Sequence, residues 1–317
     1  MQKIVAPETA GNPMGAEKWI RSSLRHLSEK LKAQGHRICP KTVGRLLKDR
    51  DYSLKANVKH QAGSHHPDRN TQFEHIEAQT QLFLSQGWPV VSLDAKKKEL
   101  IGNFKNAGQS WCQQAELVND HDFASQAQGR AVPYGIYDVN HNRGYVYVGQ
   151  SADTAEFAVD MLSRWWQEFG RVAFPNAPCL LALCDGGGSN GYRSRLWKAQ
   201  LQEKLADAME LPVMVCHYPT GTSKWNPIEH RLFGPISINW AAKPLRSFEI
   251  ILACIRGTTT NTGLQVSAFL VEKIYTRGIK VSDEVMQSLN LIRHATCPKW
   301  NYTIHPRSAM FAPEIGF

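Results

Sequence analysis

Three acids stand where a reaction at phosphorus would need them. Asp94 ends the run Trp88-Pro-Val-Val-Ser-Leu, Asp185 ends Cys179-Leu-Leu-Ala-Leu-Cys, and Glu229 closes Asn226-Pro-Ile-Glu. The run before Asp185 is apolar and bounded by Gly186, Gly187 and Gly188, which reads as a strand buried on both faces. Both aspartates then lie at strand carboxyl ends, the edge where open α/β sheets carry their sites. The glycines remove every side chain just beyond Asp185, so a metal, a phosphate or a DNA backbone can come close. Three carboxylates from three elements are the hard oxygen ligands that Mg²⁺ takes, Mn²⁺ being the alternative. Two such ions can activate an attacking oxygen and stabilise a leaving one at phosphorus. Singly, each acid has an ordinary explanation: a turn or cap for the aspartates, and for Glu229 a capping box with Asn226 at the N-cap and Glu at N3. What favours the site is the order of all three.

The elements that must position these acids follow from pattern. From residue 88 the chain reads strand, hairpin, helix, strand, helix, strand, helix. The hairpin is Tyr134–Asp138 and Gly144–Gly149, with Asn140-His-Asn-Arg as its turn. Helices are predicted over 155–169, 193–211, from Asn226, where proline suits the first turn, and over 247–258. Pro212–His217 is a further buried strand. Residues 101–132 read as a polar loop, and the tail from Val281 as short pieces. His217 ends its strand near the acids, but a buried, hydrogen-bonded histidine is at least as good a reading. Trp111, Trp197 and Trp225 could stack on unpaired bases, though packing is the better expectation for each.

Charge points to a polyanion. The 317 residues carry a net +9, and between Glu17 and His60 twelve Lys/Arg face four Asp/Glu, a local +8. Within that segment Leu24, Leu27 and Leu31 make one helical face, stopped at Gly35. A second helix starts near Pro40 with Val43, Leu46 and Leu47 inward and Lys41, Thr42, Arg45 and Lys48 outward. Helix, glycine turn, helix is the helix-turn-helix pattern, with those four residues as its DNA contacts. Near the acids, Lys96, Lys97, Lys98, Arg193, Arg195, Lys224 and Arg231 are the candidate phosphate contacts. His65 and His66 are adjacent and lack ligand spacing. No apolar run of membrane-spanning length and no signal-peptide h-region are present, and seven cysteines without a C-x-x-C pair fit reduced thiols in the cytosol. The expected organisation is a tail over 1–15, a helix-turn-helix region over 16–60, and a linker and helix over 61–87. A catalytic core over 88–260 and a C-terminal extension over 261–317 follow.

Three long motifs carry a resemblance. Leu93-Asp94-Ala-Lys-Lys-Lys-Glu-Leu-Ile-Gly-Asn-Phe-Lys105, Asp185-Gly-Gly-Gly-Ser-Asn-Gly-Tyr-Arg-Ser-Arg-Leu-Trp197 and His217-Tyr-Pro-Thr-Gly-Thr-Ser-Lys-Trp-Asn-Pro-Ile-Glu-His-Arg-Leu-Phe233 resemble the Rhodopirellula-type insertion-sequence transposases. These are DDE transposases with a ribonuclease-H-like core. The resemblance implies an α/β fold, a mixed sheet flanked by helices, after a small all-α helix-turn-helix domain. It implies Asp94, Asp185 and Glu229 as the triad for two Mg²⁺ ions, with water freeing a 3′-hydroxyl at the element end and that hydroxyl attacking target DNA. It further implies double-stranded DNA as partner, a homodimer or larger synaptic complex, and a bacterial, nucleoid-associated location. Relatives extend further at the N-terminus, so a first DNA-binding portion is expected to be missing. Pro227 stands where relatives carry a lysine, which removes a DNA contact. Two other readings use the same residues: a truncated or host-adopted transposase acting as an end-binding repressor without chemistry, and a plain nuclease that cleaves without joining.

Overall fold

The computed structural model describes residues 9–11, 18–20, 22–54 and 66–309. It divides into two compact units, residues 1–61 and 62–317. Most of the expected tail and of the irregular stretch over 51–70, His65 included, lies outside the described residues.

In the first unit a short antiparallel ribbon, β1 (Thr9–Gly11) with β2 (Lys18–Ile20), precedes two helices, α1 (Leu24–Ala33) and α2 (Pro40–Lys48). Ser23 caps α1 by accepting the His26 N–H at 3.2 Å, and Gly35 takes the left-handed φ of +87° that ends it. The helices meet through Leu27, Leu31 and Val43, the predicted faces, with Ile38 and Leu47 against them. Ser28 Oγ donates to the Ile38 carbonyl at 2.6 Å and ties the turn to α1. Lys41, Arg45 and Lys48 are exposed on α2, and Thr42 is half-buried.

The second unit is a nine-stranded mixed sheet with helices on both faces. Its path runs β10 (Leu291–Arg293), β11 (Asn301–Ile304), β8 (Val213–His217), β7 (Leu180–Cys184), β3 (Val90–Ala95), β5 (Gly129–Asp138), β6 (Arg143–Gly149), β9 (Gln265–Val271). β4 (Glu99–Ile101) pairs on β5 off this path. Pairing is antiparallel for β3–β5 and β5–β6 and parallel for β3–β7 and β7–β8. Five central strands, with only β5 reversed, therefore make the ribonuclease-H-like sheet that the motifs led us to expect. On one face lie α4 (Ala155–Trp165) and α5 (Arg195–Leu201), burying Phe157, Leu162, Trp165, Trp197 and Leu201 against Leu93, Tyr134 and Tyr147. On the other lie α3 (Arg69–Ser85), a π-turn at Glu229–Phe233 continued by α6 (Gly234–Asn239), and α7 (Phe248–Arg256). Among the described residues no helix is long and apolar enough to cross a membrane.

Two stretches differ from the sequence reading. The loop expected over 101–132 gives its last residues to β5, which starts at Gly129 and pairs there with β4. The polar residues around them hide the three-residue β4 and the first residues of β5. The stretch over 261–317, expected as a C-terminal extension, supplies β9 alongside β6 and β11 alongside β8, so strands after residue 260 extend the sheet on both sides; from Val281 the elements are the short pieces expected. α8 (Asp283–Gln287) lies between β9 and β10.

Candidate active site

Side-chain alternation along β3 decides where Asp94 points. Val91 and Leu93 enter the core under α4, so Val90, Ser92 and Asp94 face the opposite side. The same alternation on β7 puts Leu181, Leu183 and then Asp185 on that side. The parallel register of β3 and β7 pairs Leu93 with Cys184, and one step further brings Asp94 beside Asp185. Neighbouring strands lie about 4.8 Å apart, so the two aspartates are neighbours at one sheet edge. The π-turn bearing Glu229 lies across that same face, its Ile228, Leu232 and Phe233 buried against β5 and β6.

The electrostatics record this convergence. Burial, followed by the charges of Asp185 and Glu229, pushes the Asp94 carboxyl up to about 8, and Glu229 is also its side-chain hydrogen-bond partner. Burial likewise raises Asp185, to about 6, with the Glu229 charge adding to it and an Asn226 amide donor opposing it. Among the described residues no three His, Cys, Asp or Glu side chains are gathered into a cage for an ion. The acids instead act on one another through their charges, Asp185 and Glu229 on Asp94 and Glu229 on Asp185. Their chemistry fits a hard divalent cation: oxygen donors only, with a mutual repulsion that a cation would neutralise.

Glycine opens the room for the Glu229 segment. Gly135 pairs with Asp94 across β3–β5, and a Cβ there would stand 2.7 Å from Phe233 Cε1 and 2.8 Å from Ile228 Cδ1. A Cβ at Gly144 on β6 would overlap Leu232. Gly135→Ala should therefore lift the Glu229 turn off the sheet. We expect a loss of about 1–3 kcal/mol in thermal unfolding and a fall of up to about a hundredfold in Mg²⁺-dependent cleavage, because small misplacements of reacting groups are costly. Unchanged cleavage in a destabilised variant would show that the close fit serves folding alone. In the loop after Asp185 the three glycines differ. Gly186 packs against the Tyr218 carbonyl, where a Cβ would stand at 2.8 Å, and Gly188 needs its φ of +77°. Of the three, only Gly187 could gain a Cβ that meets nothing within 4 Å.

The remaining sequence candidates sort by exposure and partners. Lys96 is largely covered, 3.3 Å from Glu99 and 4.6 Å from the centre of the Trp240 ring. Arg195 is exposed but paired with Asp283 at 2.6 Å. Lys97, Arg193, Lys224 and Arg231 are exposed, and Lys98 half-buried. Trp197 is core, donating to the Tyr302 hydroxyl at 3.1 Å; Trp225 is half-exposed under Lys224; Trp111 is fully exposed. His217 is buried between the Trp300 and Asn190 carbonyls at 3.0 and 2.9 Å. Burial pushes it down to about 4 against the pull of the two carbonyls, which favour the charged ring, and these contacts make it a buried, hydrogen-bonded part of the fold.

The capping role expected of Asn226 is absent. Its side chain turns away from the helix to Asp185 Oδ1, at 3.1 Å, and to the Leu93 carbonyl, at 3.4 Å. The Ile228 N–H that an N-cap would satisfy donates instead to Ser92 Oγ at 3.0 Å, while the Asn226 backbone carbonyl takes the Glu229 N–H at 3.1 Å. Ser92 is not among the candidates that the sequence singles out. Its signal is nonetheless present: a hydroxyl in a buried strand, two residues before an acid and on its face.

Known proteins supply a family for the chain. No curated protein matches it. Among solved structures, it is similar to a Mos1 transposase paired-end complex with left transposon end (14% identity, 72% of this chain and 63% of that one, TM-score 0.39). It is also similar to a pre-cleavage Mos1 transpososome (11%, 72% and 64%, TM-score 0.43) and to a mariner Mos1 paired-end complex with Mg (14%, 72% and 64%, TM-score 0.42). The chain thus spans somewhat under two thirds of the length of these proteins. The family described as the Rhodopirellula transposase DDE domain matches residues 1–306, nearly the whole chain, and the protein belongs to that family.

Proposed function

We propose that this transposase-family chain binds the ends of an insertion sequence and cuts and joins DNA with divalent cations held by Asp94, Asp185 and Glu229. The observation that carries this reading is the placement of Asp94 and Asp185 side by side at the ends of adjacent parallel strands, both carboxyls held above their ordinary range. Burying carboxylates side by side is unfavourable without a cation or a proton between them, and a protein keeps such an arrangement where it is used. Bound there, Mg²⁺ or Mn²⁺ would supply activation of the attacking oxygen and charge neutralisation at the leaving one. The chain's own residues do the rest. Asp94 and Asp185 are held by adjacent strands, and Glu229 is brought in by the turn seated on Gly135 and Gly144. The exposed Lys97, Arg193, Lys224 and Arg231 are the candidates for gripping backbone phosphates.

The test is incubation of the protein with its own element's ends and Mg²⁺, scored for cleaved and for joined products. We expect both. Binding without either product would favour the repressor reading, and cleavage without joining the nuclease reading. The basic N-terminal unit, with Lys41, Arg45 and Lys48 exposed on α2, is the part assigned to end recognition. Removing residues 1–61 should therefore abolish selective end binding while leaving the core folded. Affinity of the full chain should fall steeply with salt, as counterion release requires. A truncated protein that still discriminates ends in a gel-shift competition would refute this assignment.

A further inference from the structure

Two buried polar side chains join the elements that carry the acids. Ser92 and Asn226 are both fully buried. Ser92 Oγ accepts the Ile228 N–H, which leaves its own hydrogen to donate to Asn226 Oδ1. That fixes the amide: Oδ1 is the acceptor, so Nδ2 must face Asp185 Oδ1 at 3.1 Å and the Leu93 carbonyl at 3.4 Å. The Leu93 carbonyl takes a second amide as well, from Asn190 at 3.2 Å. Direction is therefore defined along the whole chain, from the Ile228 N–H through Ser92 and Asn226 to the Asp185 carboxylate.

Each link lies next to one acid. Ser92 is two residues before Asp94 on the same strand face, and the Leu93 carbonyl adjoins Asp94 directly. Asp185 is bonded itself. Ile228 immediately precedes Glu229. A surface polar network could reorganise; a buried one cannot without leaving a donor or acceptor unpaired. Asn226 uses both amide hydrogens and its carbonyl oxygen here, and Ser92 its hydrogen and one of its two lone pairs. In this set Ser92, not Asn226, holds the Ile228 N–H.

We propose that Ser92 and Asn226 act as one positioning unit, which orients Asp185 and locks the Glu229 turn to the Asp94 strand so that the three carboxylates face a common divalent cation. This rests on the reading of Asp94, Asp185 and Glu229 as the metal-binding acids. Partners that orient ligating carboxylates typically change metal affinity about 10–100-fold when removed. Asn226 and Ser92 touch no reacting atom in this scheme; they act through the carboxylates.

The experiment is Mn²⁺ binding to the full chain without DNA, followed by calorimetry and by electron paramagnetic resonance. Wild type is compared with Asn226→Ala, Ser92→Ala, the double variant and Asp94→Asn. Folding is checked by near-ultraviolet circular dichroism in chelator. Ser92→Ala removes one oxygen from a strand and guards against a misfolded Asn226→Ala. Asp94→Asn should lose Mn²⁺ binding, Asn226→Ala should weaken it about tenfold or more, and Ser92→Ala by a smaller factor. If the two are one unit, the double variant should bind no more weakly than Asn226→Ala alone. In cleavage assays kcat should fall with the KM for DNA unchanged. Wild-type Mn²⁺ affinity in folded Asn226→Ala and Ser92→Ala, with binding lost in Asp94→Asn, would overturn the positioning unit and leave the acids standing. Wild-type affinity in Asp94→Asn would overturn the reading of the acids, and the unit with it.

Discussion

Asp94→Asn should abolish cleavage and, in chelator, make the protein more stable than wild type at alkaline pH. The two effects have one cause. The Asp94 carboxyl, ordinarily near 3.8, is raised to about 8 by burial and by the charges of Asp185 and Glu229. A carboxyl whose folded pKa lies above its unfolded one holds its proton more tightly when folded. It therefore costs the fold nothing below about pH 4, where both states are protonated. As pH rises towards about 8 the unfolded chain ionises freely and the folded one cannot, so stability falls across that window and levels off above it. Asp185, raised to about 6, adds a narrower loss between about 4 and 6. Asparagine keeps the shape of Asp94 and cannot ionise, so the broad window should close. Urea unfolding at pH 5 and pH 8.5 in chelator checks this: wild type should lose a few kcal/mol between the two, and Asp94→Asn much less. Mg²⁺ at pH 8.5 should restore wild type and leave the variant unmoved. A variant that cleaves at the wild-type rate would remove Asp94 from the site.

How far the sequence already contains this site depends on the link considered. The buried strands of Asp94 and Asp185 are legible because apolar runs ending at an acid and a glycine loop are dense, local signals. The neighbourhood of the two acids is not, since it depends on a parallel register between β3 and β7 that no local pattern encodes. The roles of Gly135 and Gly144 are equally hidden: each looks like an ordinary strand residue until Phe233 or Leu232 arrives from far along the chain. The last two strands escape for another reason. β10 and β11 are three and four residues long, too short for periodicity to speak. Asn226 stands out for a sound local reason that points to the wrong role. Asparagine before proline is a good helix start, but tertiary partners at Ser92 and Asp185 outcompete the helix for its amide.

That correction sharpens the expectation for Glu229→Gln. Were Glu229 a capping residue, glutamine would serve nearly as well and activity would persist. Capping is already provided by others: the Asn226 N–H that a capping Glu229 would reach donates to the Ser223 carbonyl at 2.9 Å, and Ser92 Oγ holds the Ile228 N–H. The Glu229 side chain instead meets Asp94. Glutamine keeps its size and can donate an amide hydrogen to the Asp94 carboxylate, replacing a like-charge contact with an attractive one. Stability should change by no more than about 1 kcal/mol, the scale of a first-turn charge, and in chelator at pH 8.5 it should rise. Mn²⁺ affinity and Mg²⁺-dependent cleavage should nonetheless fall more than about a hundredfold, beyond the effect of losing a mere orienting partner. Glu229→Asp separates charge from reach: it keeps the carboxylate but shortens it by a methylene, so it should recover Mn²⁺ binding in part and cleavage less. Thermal unfolding, Mn²⁺ titration and end-cleavage on the same three proteins decide the matter. Full cleavage by Glu229→Gln would mean that the charge at this position is dispensable, and that the third oxygen ligand comes from outside Asp94, Asp185 and Glu229.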